Sequence, residues 1–435
     1  MKRRRFLHYA VVLQLLAVAI PVQAALSDDE ARMLEWVDRH IDGAFALLEE
    51  TVNISSGTMN HPGVREVGAV MRRELDDLGL ATEWIDMPEE VNRAGHLFGR
   101  KDGPGSNFLL IGHLDTVFEA DDAFQSYASD GVTATGPGVD DMKSGNVIIV
   151  YALRALQAVG QLDELGIVVA YTGDEEKAGQ PLSISRRDLV AAGQWADFSL
   201  GFEAAVHYDD TDWATTSRRS SSSWILETTG KQAHSSGVFS ETVGAGAVYE
   251  AARILTAFYE ELRDEEFLTF NAANIQGGTE VEYDSELNRG SSFGKTNIVP
   301  RKAVVNGDIR AISEEQLQRV EARMRAIVGE NLPITSATIE FTGKYPPMSP
   351  TAGNQRLADV LSEINEDLGR GPMSILNPLQ RGAADISFVA PYSDSLAGLG
   401  ALGSGGHTPN ESLELASMSL AIKRAALLMY RLNQQ

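Results

Sequence analysis

Three short apolar runs, at 108–111, 167–171 and 198–202, are each followed within three residues by a histidine or a carboxylate. Runs of this length, bounded by turn-forming residues, read as buried strands. A helical pattern over 146–159 lies between the first two. Strand, helix and strand in alternation predict a mostly parallel sheet with helices on both faces. In open sheets of this kind, ligands collect beyond the carboxyl ends of the strands. The ionisable segments after these runs are therefore where chemistry is to be sought. Upstream, Leu34, Val37, Ile41 and Leu48 recur at helical spacing and predict a helix over 28–51. A second helix is expected over 61–78, ended by Gly79. The pattern changes near Ala214. An alternating strand at 223–229, a helix at 246–262, a strand pair or one long strand at 296–312, a helix at 314–328 and a strand at 338–341 predict a separate α+β unit. After Tyr345-Pro346-Pro347 the chain turns helical and glycine-rich, as for a return to the first unit. The expected architecture is α/β: one domain from 25–213 and 346–435, with a second inserted at 214–345. No internal repeat or low-complexity tract interrupts it.

Five segments carry ionisable side chains in glycine-rich or strand-end settings. In Gly112-His113-Leu114-Asp115-Thr116, the Asp two residues after the His can hold its second ring nitrogen. Gly136-Pro137-Gly138-Val139-Asp140-Asp141-Met142-Lys143 fixes a loop that presents a carboxylate just before a helix. Gly173-Asp174-Glu175-Glu176 and Glu203 each follow a strand. Gly405-Gly406-His407-Thr408-Pro409-Asn410-Glu411 offers a second His in a glycine loop. Taken singly, each is ordinary: a packing pair, a helix start, a turn. Together, two His and three carboxylates, with an Asp free to bridge, supply ligands for two zinc ions, and one carboxylate remains as a base.

Composition narrows the partners. The 435 residues are 43% hydrophobic and 23% charged, the balance of a folded chain rather than a disordered one. There is no cysteine, so any metal must be held by His, Asp and Glu, which suits zinc, manganese or cobalt. A net charge of -24 argues against nucleic acid and gives no reason to expect adhesion to anionic membranes. The first 24 residues predict a signal peptide: Lys2-Arg3-Arg4-Arg5, an apolar stretch at 10–20 too short to span a bilayer, and Val22 and Ala24 before a cut. Arg3-Arg4-Arg5-Phe6-Leu7 is similar to a twin-arginine export signal. The expected location is the periplasm or the exterior.

His113-Leu114-Asp115-Thr116, Asp141-Met142-Lys143 and Asp174-Glu175-Glu176 resemble the motifs of the dizinc exopeptidase family that includes bacterial glutamate carboxypeptidase (carboxypeptidase G), succinyl-diaminopimelate desuccinylase, peptidase T and aminoacylase. The resemblance runs in order through nearly the whole chain after the signal segment. It implies a catalytic domain with an inserted lid that dimerises. It implies two Zn2+ per chain, one on His113 and Glu203, the other on Glu176 and His407, with Asp141 shared. Asp115 would support His113, and Glu175 would be the general base. Asp141 is preferred to Asp140 because it directly precedes Met-Lys. In the inserted unit, Gly230-Lys231-Gln232-Ala233-His234-Ser235-Ser236 resembles the family's histidine motif, so His234 is expected to act at the oxyanion, across a dimer. Thr296-Asn297-Ile298-Val299-Pro300 and Asp308-Ile309-Arg310 resemble its substrate-binding Asn and Arg, and Lys344 and Gly406 are further expected substrate contacts. Gly382-Ala383-Ala384-Asp385 resembles a segment near the family's active site. Three departures bear on the substrate rather than the metals: Ala204 where many relatives have Pro, Lys344 where several have Arg, and 285–293, which resembles an insertion. The implied activity is hydrolysis of an amide next to a free carboxylate in a small peptide-like substrate, releasing a C-terminal amino acid. An N-acyl-amino-acid amidohydrolase is the alternative, and an inactive binding protein on the same scaffold the rival.

Overall fold

The computed structural model describes residues 26–285 and 287–435; the expected signal peptide lies outside them. The first helix, Asp28–Val52, starts where the Ser27 hydroxyl accepts the Glu30 N–H and Glu30 accepts the Ser27 N–H, a reciprocal cap that satisfies two of the free donors at a helix start. The second, His61–Asp77, is followed by Gly79 at φ +80°, a backbone shape that glycine adopts without strain.

The main sheet has six strands in the order Ala81–Ile85, His96–Lys101, Gly166–Thr172, Asn107–His113, Phe198–Gly201 and Asp394–Leu396. The last four are parallel neighbours, and the second strand pairs antiparallel with both the first and the third. The three expected strands thus lie side by side in parallel. The crossover helix Ser144–Ala158 is buried along nearly its whole length, including Val147, Ile148, Val150 and Leu153. It is buried all round because the helices Asp28–Val52 and Leu415–Asn433 cover the side that would otherwise face water.

A second sheet is fully antiparallel, in the order Thr269–Gly278, Lys302–Arg310, Ser221–Gly230, Thr335–Tyr345. Trp224 and Leu226 on its inner face pack with Ile254 and Phe258 of helix Ala247–Leu262 and Val320 and Met324 of helix Glu314–Gly329. This unit has its own core, separate from that of the main sheet. The expected strand pair or long strand at 296–312 is one shorter strand, Lys302–Arg310. Residues before it are drawn off to another loop: Val299 donates to the Ala233 carbonyl, and Pro300 has no N–H to give a ladder. Most of the segment 285–293 belongs to a hairpin, Glu280–Asp284 with Arg289–Phe293. Among the described residues no helix is long and apolar enough to cross a membrane.

Candidate metal centre

Parallel strands end at one edge, and that edge gathers the ionisable segments. His113 is the last residue of its strand, Glu175 and Glu176 follow Gly166–Thr172, and Glu203 follows Phe198–Gly201. Asp141 comes from the kinked segment Val139–Lys143 that opens the crossover helix. His407, at φ +62°, comes from the loop after the sixth strand.

These segments converge on Asp141. His113 Nε2 lies 3.1 Å from its Oδ1, and His407 Nε2 lies 3.1 Å from its Oδ2. His407 Nε2 is also 3.2 Å from Glu176 Oε2. Ligand atoms of His113, Asp141 and Glu176 fall within 4.8 Å of one another. Glu175 and Glu203 line one small internal cavity with His113, Arg218 and Asp385. The structure thus brings together all five expected ligand residues and the expected base.

Asp115 sits behind this group, fully buried. Its Oδ1 accepts the Glu175 N–H at 3.0 Å, and its Oδ2 accepts the Glu176 N–H at 3.2 Å and the Thr58 hydroxyl at 2.6 Å. Asp115 supplies the acceptor for His113 Nδ1, through its main-chain carbonyl at 3.0 Å and with its carboxylate at 3.5 Å, because that carboxylate also serves the 175–176 turn. Either acceptor fixes the same tautomer and leaves Nε2 free to face Asp141.

The electrostatics require positive charge. An imidazole whose Nδ1 carries its proton presents a bare lone pair at Nε2, and a lone pair 3.1 Å from a carboxylate oxygen needs a proton or a cation beside it. Burial opposes ionisation of Asp141, yet hydrogen bonds from His113 and His407 hold its carboxyl well below the usual range. The contacts to Asp141 and Glu176 push His407 up to about 10. Burial pushes Glu175 well above an ordinary carboxyl, with Glu203 and Asp385 adding to the rise and His113 opposing it. Glu176 Oε1 is buried with no hydrogen-bond partner. Imidazole and carboxylate donors around a shared carboxylate, one with an orphaned oxygen, fit divalent cations of the zinc type.

Several supports carry no signal in the sequence. Glu411 accepts three backbone N–H groups, from Gly138, Asp140 and Asp141, at 3.1, 2.8 and 2.9 Å, and so shapes the loop that presents Asp141. Arg218 pairs with Glu203. Arg186, fully buried, bonds Asp174 at 2.6 Å, Asp385 at 2.7 Å and the Tyr345 hydroxyl at 2.8 Å. That hub ties the 173–176 turn to the 382–385 segment. Glu411 stands in a loop singled out for its His; only its position four residues after that His could have drawn attention.

Other expected site residues lie apart from Asp141. His234 and Asn297 stand together on exposed loops of the second unit, joined by Ser235 N–H to the Asn297 carbonyl at 2.8 Å. His234 Nδ1 meets the Ser236 hydroxyl at 2.9 Å. Arg310 bonds Asp308 at 3.1 Å and reaches toward Gly382. The structure does not bring Lys344 to the cluster: its ammonium lies 2.9 Å from Glu321 on helix Glu314–Gly329, over the Phe341 ring. Gly406 is an exposed turn residue with nothing within 4 Å of where a side chain would start.

Residues 109–431 match the model of peptidase family M20/M25/M40. The chain belongs to this family. It is accordingly an enzyme of the metallopeptidase class. Carboxypeptidase G2 of Pseudomonas sp. (strain RS-16) is 25% identical, over 99% of both chains. Aminopeptidase PepT of Bacillus cereus superposes with a TM-score of 0.70 at 18% identity, over 89% of this chain and 97% of that one. A dinuclear metal-binding M20 peptidase of Bacillus subtilis superposes at 0.62 with 14% identity, over 92% and 99%. The family carries its peptidase chemistry to this chain, and the two structures share its fold.

Proposed function

We propose that this M20 enzyme is a two-zinc hydrolase that cuts an amide bond beside a free carboxylate and releases a C-terminal amino acid, as a glutamate carboxypeptidase or dipeptidase does. The observation that carries the reading is Asp141, with one imidazole on each oxygen at 3.1 Å. His113 and Glu203 would hold one ion, Glu176 and His407 the other, and Asp141 both. When bound, the ions supply Lewis acidity toward the scissile carbonyl and the attacking water. Glu175 takes the proton from that water as its oxygen bonds the carbonyl carbon. As the C–N bond breaks, the same carboxyl passes the proton to the leaving amine. Its burial raises its proton affinity, which suits both halves of that role.

Arg310 and Asn297 would grip the substrate carboxylate, and His234 would donate to the oxyanion. His234 and Asn297 stand exposed in one chain, which favours a two-fold dimer through the 214–345 domain that carries them to the partner's cluster. Val248, Tyr249 and Tyr259 of helix Ala247–Leu262 and Ile275 of the edge strand Thr269–Gly278 are exposed and apolar, as a dimer face would need. The domains at 25–213 and 346–435 would then hold the metals, after removal of 1–24 on export to the periplasm or beyond.

A panel of dipeptides, folyl-glutamates and acyl amino acids, each as free acid and as C-terminal amide, tests the reading. Free acids are expected to turn over and amides to fail. Arg310→Ala is expected to lower kcat/KM by about 10²–10³, as for a lost charged hydrogen bond. Acyl amino acids cleaved in preference to dipeptides would move the chain to the amidohydrolase reading. Equal rates on acids and amides would contradict both.

A further inference from the structure

Tyr345 is the last residue of strand Thr335–Tyr345, where the chain leaves the second unit. It pairs with Ser221, the first residue of strand Ser221–Gly230, where the chain has just entered that unit. Pro346 and Pro347 have no N–H to give, so the ladder stops there. Pairing resumes between Met348 and Arg218, each N–H donating to the other's carbonyl at 2.9 Å. The two connections between the units are thus bound to each other. Each sends one side chain to the metal centre: Arg218 meets Glu203, and Tyr345 meets the turn that carries Glu175.

The backbone of that turn is held group by group. Arg186 donates to the Asp174 carbonyl at 3.1 Å. Asp115 accepts the Glu175 N–H at 3.0 Å. The Glu175 carbonyl lies 3.4 Å from the Tyr345 hydroxyl. Arg186 also donates to the Tyr345 oxygen at 2.8 Å, which leaves the hydroxyl proton to point elsewhere. The Glu175 carbonyl is a nearer acceptor for it than the Asp385 carboxylate at 3.5 Å. Burial pushes the hydroxyl far above the usual phenol range, with Asp385 adding to the rise and Arg186 opposing it, so it keeps its proton and stays a donor. The ring is fixed too, edge-on to Phe388 with centroids 4.8 Å apart. Asp115 serves Glu176 as well as Glu175, so its loss would disturb a metal ligand and the base together. Of those two residues Tyr345 reaches Glu175.

We infer that Tyr345 is a positioning residue for the base: its hydroxyl, delivered by the strand that leaves the second unit, fixes the Glu175 carbonyl and with it the direction of the Glu175 carboxylate. This rests on the reading of Glu175 as the base. Glu175 is then held from both units, by Asp115 on its N–H and by Tyr345 on its carbonyl. A base displaced by a fraction of an ångström takes the proton less well, while the metals and the substrate stay bound as before.

The test is a double-mutant cycle on the zinc-loaded enzyme. Tyr345→Phe removes the hydroxyl and leaves the ring against Phe388. It is expected to lower kcat by about tenfold, with KM and metal content as in wild type. In Glu175→Asp the carboxylate is already drawn back by a methylene, so its placement is lost beforehand. Tyr345→Phe should then cost less than about threefold in that background. Equal losses in the two backgrounds overturn the inference, because a side chain that only supports the fold acts alike whatever stands at 175. Unchanged kcat overturns it, and so does loss of metal, which would make Tyr345 a prop for the ligand turn. A raised KM with kcat kept overturns it as well, by marking Tyr345 as a substrate contact. If Tyr345→Phe fails to fold, the cycle is run with Tyr345→His, which keeps a ring and an N–H donor: its loss in kcat is again expected to shrink in the Glu175→Asp background, and an equal loss overturns the inference. Near-normal turnover by Glu175→Gln would sink the parent reading instead. A dead Glu175→Gln beside a fully active Tyr345→Phe would sink this one alone.

Discussion

His407 and His113 face the same carboxylate from different surroundings: the His407 side chain is 58% exposed, that of His113 2%. Removing the exposed imidazole disturbs little packing, so its loss reports on the metals rather than on the fold. His407→Ala is expected to keep one zinc per chain, lose the other, and lose nearly all activity, because five protein ligands shared by two ions leave none redundant. Metal analysis of the purified variant checks this; two ions retained would contradict the assignment of His407. At this scale the sequence was informative where chemistry and backbone coincide. His113, Glu175, Glu176 and Glu203 follow apolar strands, so their edge could be inferred from the runs alone. Glu411 and Arg186 could not, because their partners are backbone N–H groups and residues far along the chain, which no local spacing marks. Which way Lys344 points could not be read either: on a strand, one residue decides between the face toward the cluster, taken by Tyr345, and the face toward helix Glu314–Gly329, taken by Lys344.

The elements that close the main sheet are held by a charged knot away from the metals. Asp212 on strand Thr211–Ala214 is buried, and it meets Arg424 of helix Leu415–Asn433, Asn365 of helix Ala352–Asp367 at 3.1 Å, Arg370 at 3.3 Å and His207 at 2.7 Å. Burial alone would raise its carboxyl, but Arg370 and Arg424 hold it well below the usual carboxylate range. Asp212→Asn leaves the buried Arg424 without its carboxylate and is expected to cost about 3–5 kcal/mol at neutral pH. A depressed carboxyl stabilises the fold above its unfolded value, and that contribution fades as pH falls through the folded value. The gap between wild type and variant in denaturant melts should therefore be widest near neutrality and shrink in acid. A gap that widens in acid would contradict the sign. Among the strands, three of the four parallel ones were legible as apolar runs, and Asp394–Leu396 was too short to show as one. Ala81–Ile85 and His96–Lys101 were not: the first is an edge strand with half-exposed residues and a charged Glu83, and the second ends in Arg100-Lys101, so neither presents a continuous apolar run.

For the whole molecule, the separation of His234 and Asn297 from the cluster in a single chain sets the next expectation. Glu175→Ala and His234→Ala proteins should each be inactive alone. After subunit exchange, about half the dimers are hybrids with one intact site of two, so about a quarter of wild-type activity should return. No recovery, with exchange verified by mass, would contradict action across the dimer. The inserted unit was legible as a change from long buried runs to alternating strands near Ala214, while its exposed apolar helix face was not, since outward apolar residues look the same in sequence as core ones. The central claim is that Glu175 moves the proton while its neighbours hold the metals. Glu175→Gln, nearly the same shape but unable to accept a proton at neutral pH, tests it most directly. Metal content and turnover of that one variant, measured side by side, should show two zinc ions per chain and activity lower by about a thousandfold. Near-normal turnover, or loss of a zinc ion, would contradict the account.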